Sequence, residues 1–185
     1  MKKPFSYYLG NTLILFSLIG FGYIGYPIIT SYLIPSPIPK ATEREFALWI
    51  PKIHAAGKII PGVDPWNETQ YNAALKKGIA LGKGFALPGE KGVTYLFAHS
   101  SGLPWEITHY NTVFLRLGEL QPGDTITIWY KTKQYDYKVV SKKVVDPQNV
   151  QAVTEEKKDE LIIQTCTPIG TDWQRLLIYA VPLAS

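Results

Sequence analysis

The stretch LIIQTCTPIGTDWQRLLIYA, residues 161–180, decides the fold of this 185-residue chain. It contains two apolar runs, Leu161–Ile163 and Leu176–Ala180, both rich in residue types that favour strands. The connection between them contains Pro168 and Gly170, which are typical of irregular loops. The pattern therefore predicts a strand, a loop and a second strand long enough to pair with the first.

The same stretch contains the only cysteine of the chain, Cys166, and places Arg175 at the start of the second run. If the two runs pair, the thiol and the guanidinium lie at the same end of neighbouring strands. Two interpretations remain open at this point. Cys166 is a small buried hydrophobic side chain and Arg175 a surface charge, or the two belong to a reactive site.

The remainder of the folded region favours short strands. The clearest is Val93–Ala98, which ends at His99, and the alternating runs Thr125–Tyr130 and Tyr135–Val140 predict a hairpin. Weaker strand candidates are Trp49–Ile53, where Pro51 favours an edge position, Gly57–Pro61, and Val113–Leu117, which also fits a helix.

One short helix is predicted at residues 71–77. Asn67 and Gln70 precede it at the spacing of a capping box, and Gly78 is a typical residue at which a helix ends. Seven or eight short strands with one confident helix predict an all-β barrel or sandwich.

The first forty residues predict a membrane anchor. No charged residue lies between Lys3 and Lys40, and Leu13–Ile34 is dominated by apolar residues, tyrosine and glycine. A helix of that length spans about 33 Å, which suffices for a bilayer core of roughly 30 Å. Lys2 and Lys3 favour a cytoplasmic N-terminus. A cleaved signal peptide is the alternative, but no Ala-x-Ala site follows the run, which is long for a signal peptide.

These features predict four regions: a cytoplasmic N-terminus at 1–8, a transmembrane anchor at 9–34, a proline-rich stalk at 35–48 and a folded domain at 49–185. The chain would pass once through the plasma membrane and place that domain outside the cytoplasm. The domain carries 15 basic and 13 acidic side chains. The domain therefore lacks the excess of basic side chains with which proteins usually bind nucleic acids, and a nucleic-acid partner is excluded. The acidic residues show no ligand spacing, so we expect no metal and no cofactor.

Export makes the lone cysteine unusual, because thiols outside the cytoplasm tend to pair as disulfides. His99 follows a buried strand directly, and a rigid strand end can hold a catalytic side chain. His54 and His109 lie in less regular segments and are expected to make local contacts. A cation such as Arg175 stabilises a thiolate, and an imidazole can protonate a leaving amine. Cys166, His99 and Arg175 are therefore the candidate catalytic residues.

The segment Thr165-Cys166-Thr167-Pro168, followed by Gly170 and then Arg175, resembles the TLxTC…R signature of the sortase family. The order histidine, cysteine, arginine and the 67 residues from His99 to Cys166 fit the same family. The resemblance covers residues 49–182. It implies an eight-stranded sortase-like β-barrel with short helices and a cysteine transpeptidase activity carried by His99, Cys166 and Arg175. Thr165 is an additional candidate for substrate binding.

The resemblance also implies partners. Sortases recognise a sorting signal, typically Leu-Pro-x-Thr-Gly, near the C-terminus of a secreted protein. They transfer the cleaved protein to an amine, supplied by a peptidoglycan precursor or by a lysine of another protein. Residues 9–34 would contact the lipid bilayer.

Several residues depart from the common sortase pattern. Ala98 and Ser100 flank His99, where many sortases carry glycine and arginine, so the subclass and the sorting signal stay open. Asp64-Pro65-Trp66 resembles the Asp-Pro-aromatic lid of pilus-building sortases, but its position favours a helix-capping role. No histidine follows Cys166, which disfavours a papain-like peptidase, and its surroundings do not match those of L,D-transpeptidases. A different alternative is a non-catalytic, membrane-anchored β-domain that binds a partner protein.

Overall fold

Eight strands close into a barrel in the computed structural model, which describes residues 4–100, 112–149, 151–154 and 158–183. Three helices accompany the barrel. The strands are β1 (Phe46–Ile50), β2 (Ala55–Val63), β3 (Ile79–Gly82), β4 (Val93–Phe97), β5 (Thr125–Tyr130), β6 (Lys133–Val145), β7 (Glu160–Thr167) and β8 (Gln174–Pro182). The helices are α1 (Phe5–Leu33), α2 (Glu68–Leu75) and α3 (Gln151–Thr154).

The strands follow the order β1-β2-β3-β4-β7-β8-β6-β5 around the barrel. The pairs β2–β3 and β4–β7 are parallel, and the other pairs are antiparallel. Apolar side chains of these strands form the core and are almost completely buried, among them Leu48, Ile50, Ile59, Leu96, Phe97 and Ile128. The predicted eight-stranded, mostly β barrel with short helices is confirmed.

The first strand begins earlier than the sequence predicted. Strand β1 starts at Phe46, inside the predicted stalk at 35–48, and ends where Pro51 begins a short 3-10 helix, Pro51–Ile53. The edge position inferred from Pro51 is wrong, because β1 pairs with β2 on one side and with β5 on the other. The proline ends the strand and leaves the ladder intact.

Two further segments differ from the sequence prediction. Residues 113–116 form turns, and a 3-10 helix, Leu117–Glu119, follows in place of the predicted helix or strand. Strand β3 is not predicted by the sequence, because its last residue, Gly82, is typical of turns. A Cβ at Gly82 would lie 2.7 Å from the Phe85 ring and 2.8 Å from the Tyr95 ring, so glycine is needed there for packing.

The predicted N-terminal helix is confirmed as α1. Its 29 residues extend about 44 Å at 1.5 Å per residue. Within the described chain, one helical segment, Phe5–Tyr26, is long and apolar enough to cross a bilayer. The described residues do not include Lys2, Lys3 or His109. They also leave out nearly all of the less regular segment at 103–112 that surrounds His109.

The last turn of α1 contacts the barrel through a group of residues that we call the anchor clasp: Ser31, Tyr32, Arg116 and Glu119. The Arg116 guanidinium lies 4.1 Å from the centre of the Tyr32 ring, and its Nη1 donates a hydrogen bond to the Ser31 carbonyl at 3.0 Å. Glu119 accepts hydrogen bonds from the Tyr32 hydroxyl and from Arg116, each at 2.7 Å. The clasp therefore joins the end of α1 to the barrel.

Candidate active site

The parallel pairing of β4 with β7 explains the spacing of the candidate histidine and cysteine. Partners in this register lie 67 positions apart, so that Phe97 faces Gln164. The pairing continues past the end of β4, because the Ala98 N–H donates to the Gln164 carbonyl at 3.2 Å. Extending the register by one more residue beyond Ala98 places His99 opposite Cys166. Neighbouring strands lie about 4.8 Å apart, so the two backbones come close enough for side-chain contact.

Cys166 and Arg175 are direct partners in the antiparallel pair β7–β8. Side chains of directly opposed residues lie on the same face of a sheet. The Arg175 Nη1 donates to the carbonyls of Asp172 at 2.7 Å and Gln174 at 3.3 Å, which fixes the guanidinium beside the β7–β8 loop. Cys166 therefore lies on β7 between the strand that carries Arg175 and the strand that ends at His99.

Thr165 is buried, with 4% of its surface exposed. Its hydroxyl donates a hydrogen bond to the Ala98 carbonyl at 2.9 Å. This bond links β7 to the end of β4, one residue before His99, and gives the side chain a structural role. If Thr165 contacts substrate, its backbone must therefore make that contact.

The thiol of Cys166 is partly buried, and this burial raises its pKa. Arg175 lowers the pKa, and the Asp172 carboxylate raises it. Because burial is the largest of the three effects, the pKa of the thiol lies above its ordinary value. A reaction at sulfur therefore needs a group that accepts the proton, and the histidine opposite Cys166 is the candidate.

A cavity of about 440 Å³ opens beside the thiol. Its lining includes Cys166 and Arg175 and extends over three aromatic residues of α2, β4 and the β3–β4 loop. These are Tyr71, Phe85 and Tyr95. Further lining comes from the segment that joins β6 to α3, including Asp146, Pro147 and Asn149.

Apart from Cys166 and Arg175, the sequence singled out only Pro65 and Trp66 among the residues that line the cavity. One signal was available for the helix α2. Parallel neighbouring strands such as β2 and β3 need a crossover connection, and that connection must pass over the barrel. The residues that line a cavity from several loops carry no common sequence pattern.

Tyr71 contacts the strand end that carries the histidine. Its ring is stacked on the Phe97 ring, with centres 5.1 Å apart and planes at 9°. It meets the His99 ring edge to face, with centres 6.2 Å apart and planes at 85°. Burial raises the pKa of Tyr71 to about 12; Cys166 also raises it and Arg175 lowers it.

The segment Asp64-Pro65-Trp66 precedes α2 with the hydrogen bonds of a cap. The Asp64 carboxylate accepts from the Trp66 N–H at 2.9 Å, and the Asn67 side chain accepts from the Gln70 N–H at 3.1 Å. Pro65 and Trp66 also line the cavity, and Trp66 is 68% exposed. The segment therefore has two roles: it leads into the capped start of α2, and it lines part of the candidate site.

Within the described ranges, no three histidine, cysteine or acidic side chains lie close enough together to hold a metal ion. The expectations of no metal and no cofactor stay predictions.

Comparisons with known proteins agree on one family. A family model described as Sortase domain matches residues 48–183. Sortase D of Bacillus subtilis (strain 168) is 31% identical over 145 residues, which cover 76% of this chain and 65% of the relative. The chain thus spans slightly less than two thirds of that curated relative.

Solved structures show the same similarity. A Sortase D5 transpeptidase of Clostridium perfringens is 25% identical, with a TM-score of 0.59 over 76% of this chain and 79% of the other. Sortase C2 of Pilus Island 1 of Group B Streptococcus is 25% identical, with a TM-score of 0.64 over 83% and 85% of the two chains.

Proposed function

This chain belongs to the sortase family, and from that membership we propose that it is a membrane-anchored cysteine transpeptidase. The observation that supports this most is the placement of Cys166. It lies on β7 opposite Arg175, and the β4–β7 register brings His99 to its other side. The thiol also opens on a cavity large enough for part of a peptide. The Clostridium perfringens relative is itself described as a transpeptidase.

The proposed reaction has two acyl-transfer steps. Cys166 Sγ forms a bond to the carbonyl carbon of the scissile amide, and the thiol proton passes to His99. The C–N bond then breaks, and His99 returns the proton to the departing amine, which leaves a thioester on Cys166. An incoming amine attacks the thioester carbon and forms a new amide, and the C–S bond breaks; His99 accepts a proton from the amine and returns it to the departing sulfur, which regenerates the thiol.

Arg175 would hydrogen-bond the carbonyl oxygen on which negative charge develops. Its known bonds to Asp172 and Gln174 both come from Nη1 and hold the guanidinium in one orientation. A donor that is already oriented needs no rearrangement when charge develops, so it stabilises the transition state more than the ground state.

The proposed substrate is a secreted protein with a Leu-Pro-x-Thr-Gly-like signal, and the acceptor is an amine of a peptidoglycan precursor or a protein lysine. We also propose that α1 spans the plasma membrane once, with the N-terminus in the cytoplasm and the barrel outside it. The apolar segment Phe5–Tyr26 supports this arrangement.

The test uses the full chain in lipid nanodiscs, a fluorogenic Leu-Pro-x-Thr-Gly peptide library and an added amine. We expect at least one peptide to be cleaved and joined to the amine, and Cys166→Ala to abolish both reactions. Absence of cleavage across the library, or full activity of Cys166→Ala, would contradict the proposal.

A matched substitution tests the role of Arg175. Arg175→Lys keeps the charge but replaces the planar fork of donors with a single ammonium group. We expect kcat to fall on the order of 10²-fold, as for loss of one oxyanion donor. Turnover near that of the unmodified chain would show that Arg175 has no catalytic role.

The alternative of a non-catalytic β-domain makes a different prediction. It requires Cys166 to be an inert core residue, whereas the side chain is partly exposed and lines the cavity. A methanethiosulfonate reagent should therefore modify the folded chain within minutes. Resistance of the thiol until the protein unfolds would favour the non-catalytic alternative.

A further inference from the structure

Tyr71 occupies a position that the proposed reaction leaves without a role. It lies in the middle of α2, is half-buried and lines the cavity together with Cys166 and Arg175. Its ring also meets the His99 ring edge to face. The residue therefore lies between the catalytic histidine and the space that substrate would enter.

Two independent contacts fix the orientation of the Tyr71 ring. One is the nearly parallel stack on Phe97, the last residue of β4. The other is the start of α2, where Asn67 caps the helix through the Gln70 N–H and accepts the Tyr71 N–H on its carbonyl at 2.8 Å. A ring held from both the strand and the helix presents a fixed surface to its neighbours.

From this geometry we propose that Tyr71 is a positioning residue, whose ring holds the His99 imidazole in the orientation that serves Cys166. The edge-to-face arrangement is one that aromatic rings prefer, and it contributes about 0.5–1.5 kcal/mol beyond burial. His99 lies beyond the last paired residue of β4, so the backbone ladder alone does not fix its ring. The proposal rests on the proposed transpeptidase function.

The chemistry around Tyr71 fits a ring that positions a neighbour and does not itself transfer protons. The groups that act on it are Cys166 on β7, Arg175 on β8 and Tyr95 on β4. Burial keeps its hydroxyl neutral below about pH 12. The hydroxyl therefore adds no charge beside the thiol, and phenylalanine should serve equally well.

The test compares Tyr71→Phe, which keeps the ring, with Tyr71→Leu, which removes it. The matched control is Tyr130→Leu, since Tyr130 also packs on a phenylalanine, Phe46, with ring centres 4.9 Å apart, but on β5 and away from Cys166. All variants are made in the full chain in nanodiscs. Peptide cleavage gives kcat and KM as a function of pH.

We expect Tyr71→Phe to stay within about twofold of the unmodified chain. Tyr71→Leu should lower kcat by about 10- to 100-fold, the size expected when a catalytic group is misplaced by about 1 Å. KM should change much less, and the limb of the pH profile that His99 governs should shift. If the Tyr71 ring serves stability alone, both leucine variants should have a lower melting temperature and an unchanged pH profile.

A second readout does not depend on peptide cleavage. Cys166 is the only thiol, so the rate of its alkylation by iodoacetamide against pH reports the proton exchange between sulfur and imidazole at one site. The alkylation profile should move in Tyr71→Leu and not in Tyr71→Phe or Tyr130→Leu. An unchanged profile in Tyr71→Leu, or equal shifts in all three variants, overturns the positioning role. Failure of every chain to cleave peptide overturns the proposed function instead.

Discussion

At the scale of single residues, burial and two charged side chains shift the pKa of the candidate nucleophile. Burial raises the pKa of the Cys166 thiol, Arg175 lowers it and Asp172 raises it. Arg175 is the paired residue on β8, and Asp172 lies in the loop that joins β7 to β8. Strand β8 and the loop before it therefore place opposite charges near the same sulfur atom.

These opposite effects give a prediction with a defined sign. Asp172→Asn removes a negative charge and should lower the pKa of Cys166, so the midpoint of iodoacetamide alkylation moves to lower pH. Arg175→Ala removes the opposing positive charge and should move the midpoint to higher pH. Alkylation rates measured from pH 5 to pH 10 check both shifts. Shifts in the same direction would show that burial, not charge, dominates both variants.

At the scale of elements, the β5–β6 hairpin contains local backbone strain. Its two-residue turn is Lys131-Thr132, and both residues have a positive φ, of 50° and 67°. Such turns strongly prefer Asn-Gly, because side chains crowd the backbone at positive φ. The two alternating runs in the sequence end at Tyr130 and begin again at Tyr135, so the sequence did not locate this turn, since Lys-Thr carries no turn signal.

The strain predicts a stabilising substitution. Thr132→Gly should raise stability by about 0.5–1 kcal/mol, because relief at φ 67° exceeds the entropy that glycine adds to the unfolded chain. The measurement is the melting temperature in detergent, with an expected rise of about 2–4 °C. Thr125→Gly, at an exposed position of extended β5, is the control and should lower the melting temperature. A fall in both variants would contradict the strain.

Sequence predicted those elements whose signals are local. Strands β4, β5 and β7 are apolar or alternating runs between turn residues, and the capping of α2 by Asn67 follows from its spacing. Elements that depend on tertiary packing were missed. Strand β3 needs Gly82 because two rings fill the space of a side chain, and residues 113–116 form turns although their apolar run favours a regular element.

The candidate site shows the same division. The sequence could name the three candidates because His99 follows an apolar run, and Cys166 and Arg175 belong to a family signature. The cavity could not be predicted, because α2 and the segment after β6 meet it only through barrel closure. Tyr71 is a routine helix residue in sequence and becomes a neighbour of His99 through its stack on Phe97.

At the scale of the whole molecule, the anchor clasp joins the barrel to α1, the helix that we propose to span the membrane. Arg116, which lies over the Tyr32 ring, is two residues after Phe114, whose N–H donates to the His99 carbonyl at 3.3 Å. The segment that holds the anchor thus also contacts the strand end of the candidate site. A fixed distance from the bilayer would favour substrates that are themselves held at the membrane surface.

The clasp should hold the barrel in one orientation relative to the bilayer, and single substitutions in the clasp should loosen that orientation. Arg116→Ala removes a cation–π contact and the bonds to Ser31 and Glu119, and Tyr32→Phe removes one bond to Glu119. Energy transfer from a fluorophore on Ser141→Cys, in a Cys166→Ala background, to labelled lipid headgroups measures the distance. We expect the distribution of this distance to be broader for Arg116→Ala than for Tyr32→Phe. The control Tyr26→Phe, on an earlier turn of α1, should not broaden it.

Acid should release the same clasp. Hydrogen bonds from Arg116 and Tyr32, and the charge of Lys52, act to lower the pKa of Glu119, with the Arg116 bond as the largest effect. A carboxylate whose pKa is lowered in the folded state stabilises the clasp above its ordinary pKa and loses this effect as pH falls through the lowered value. The distance distribution should therefore stay constant from pH 7 to about 5 and broaden below about pH 4. In Glu119→Gln, which carries no titrating carboxyl, the distribution should already be broad at pH 7 and change little with acid; a narrow distribution in that variant would show that charge does not hold the clasp.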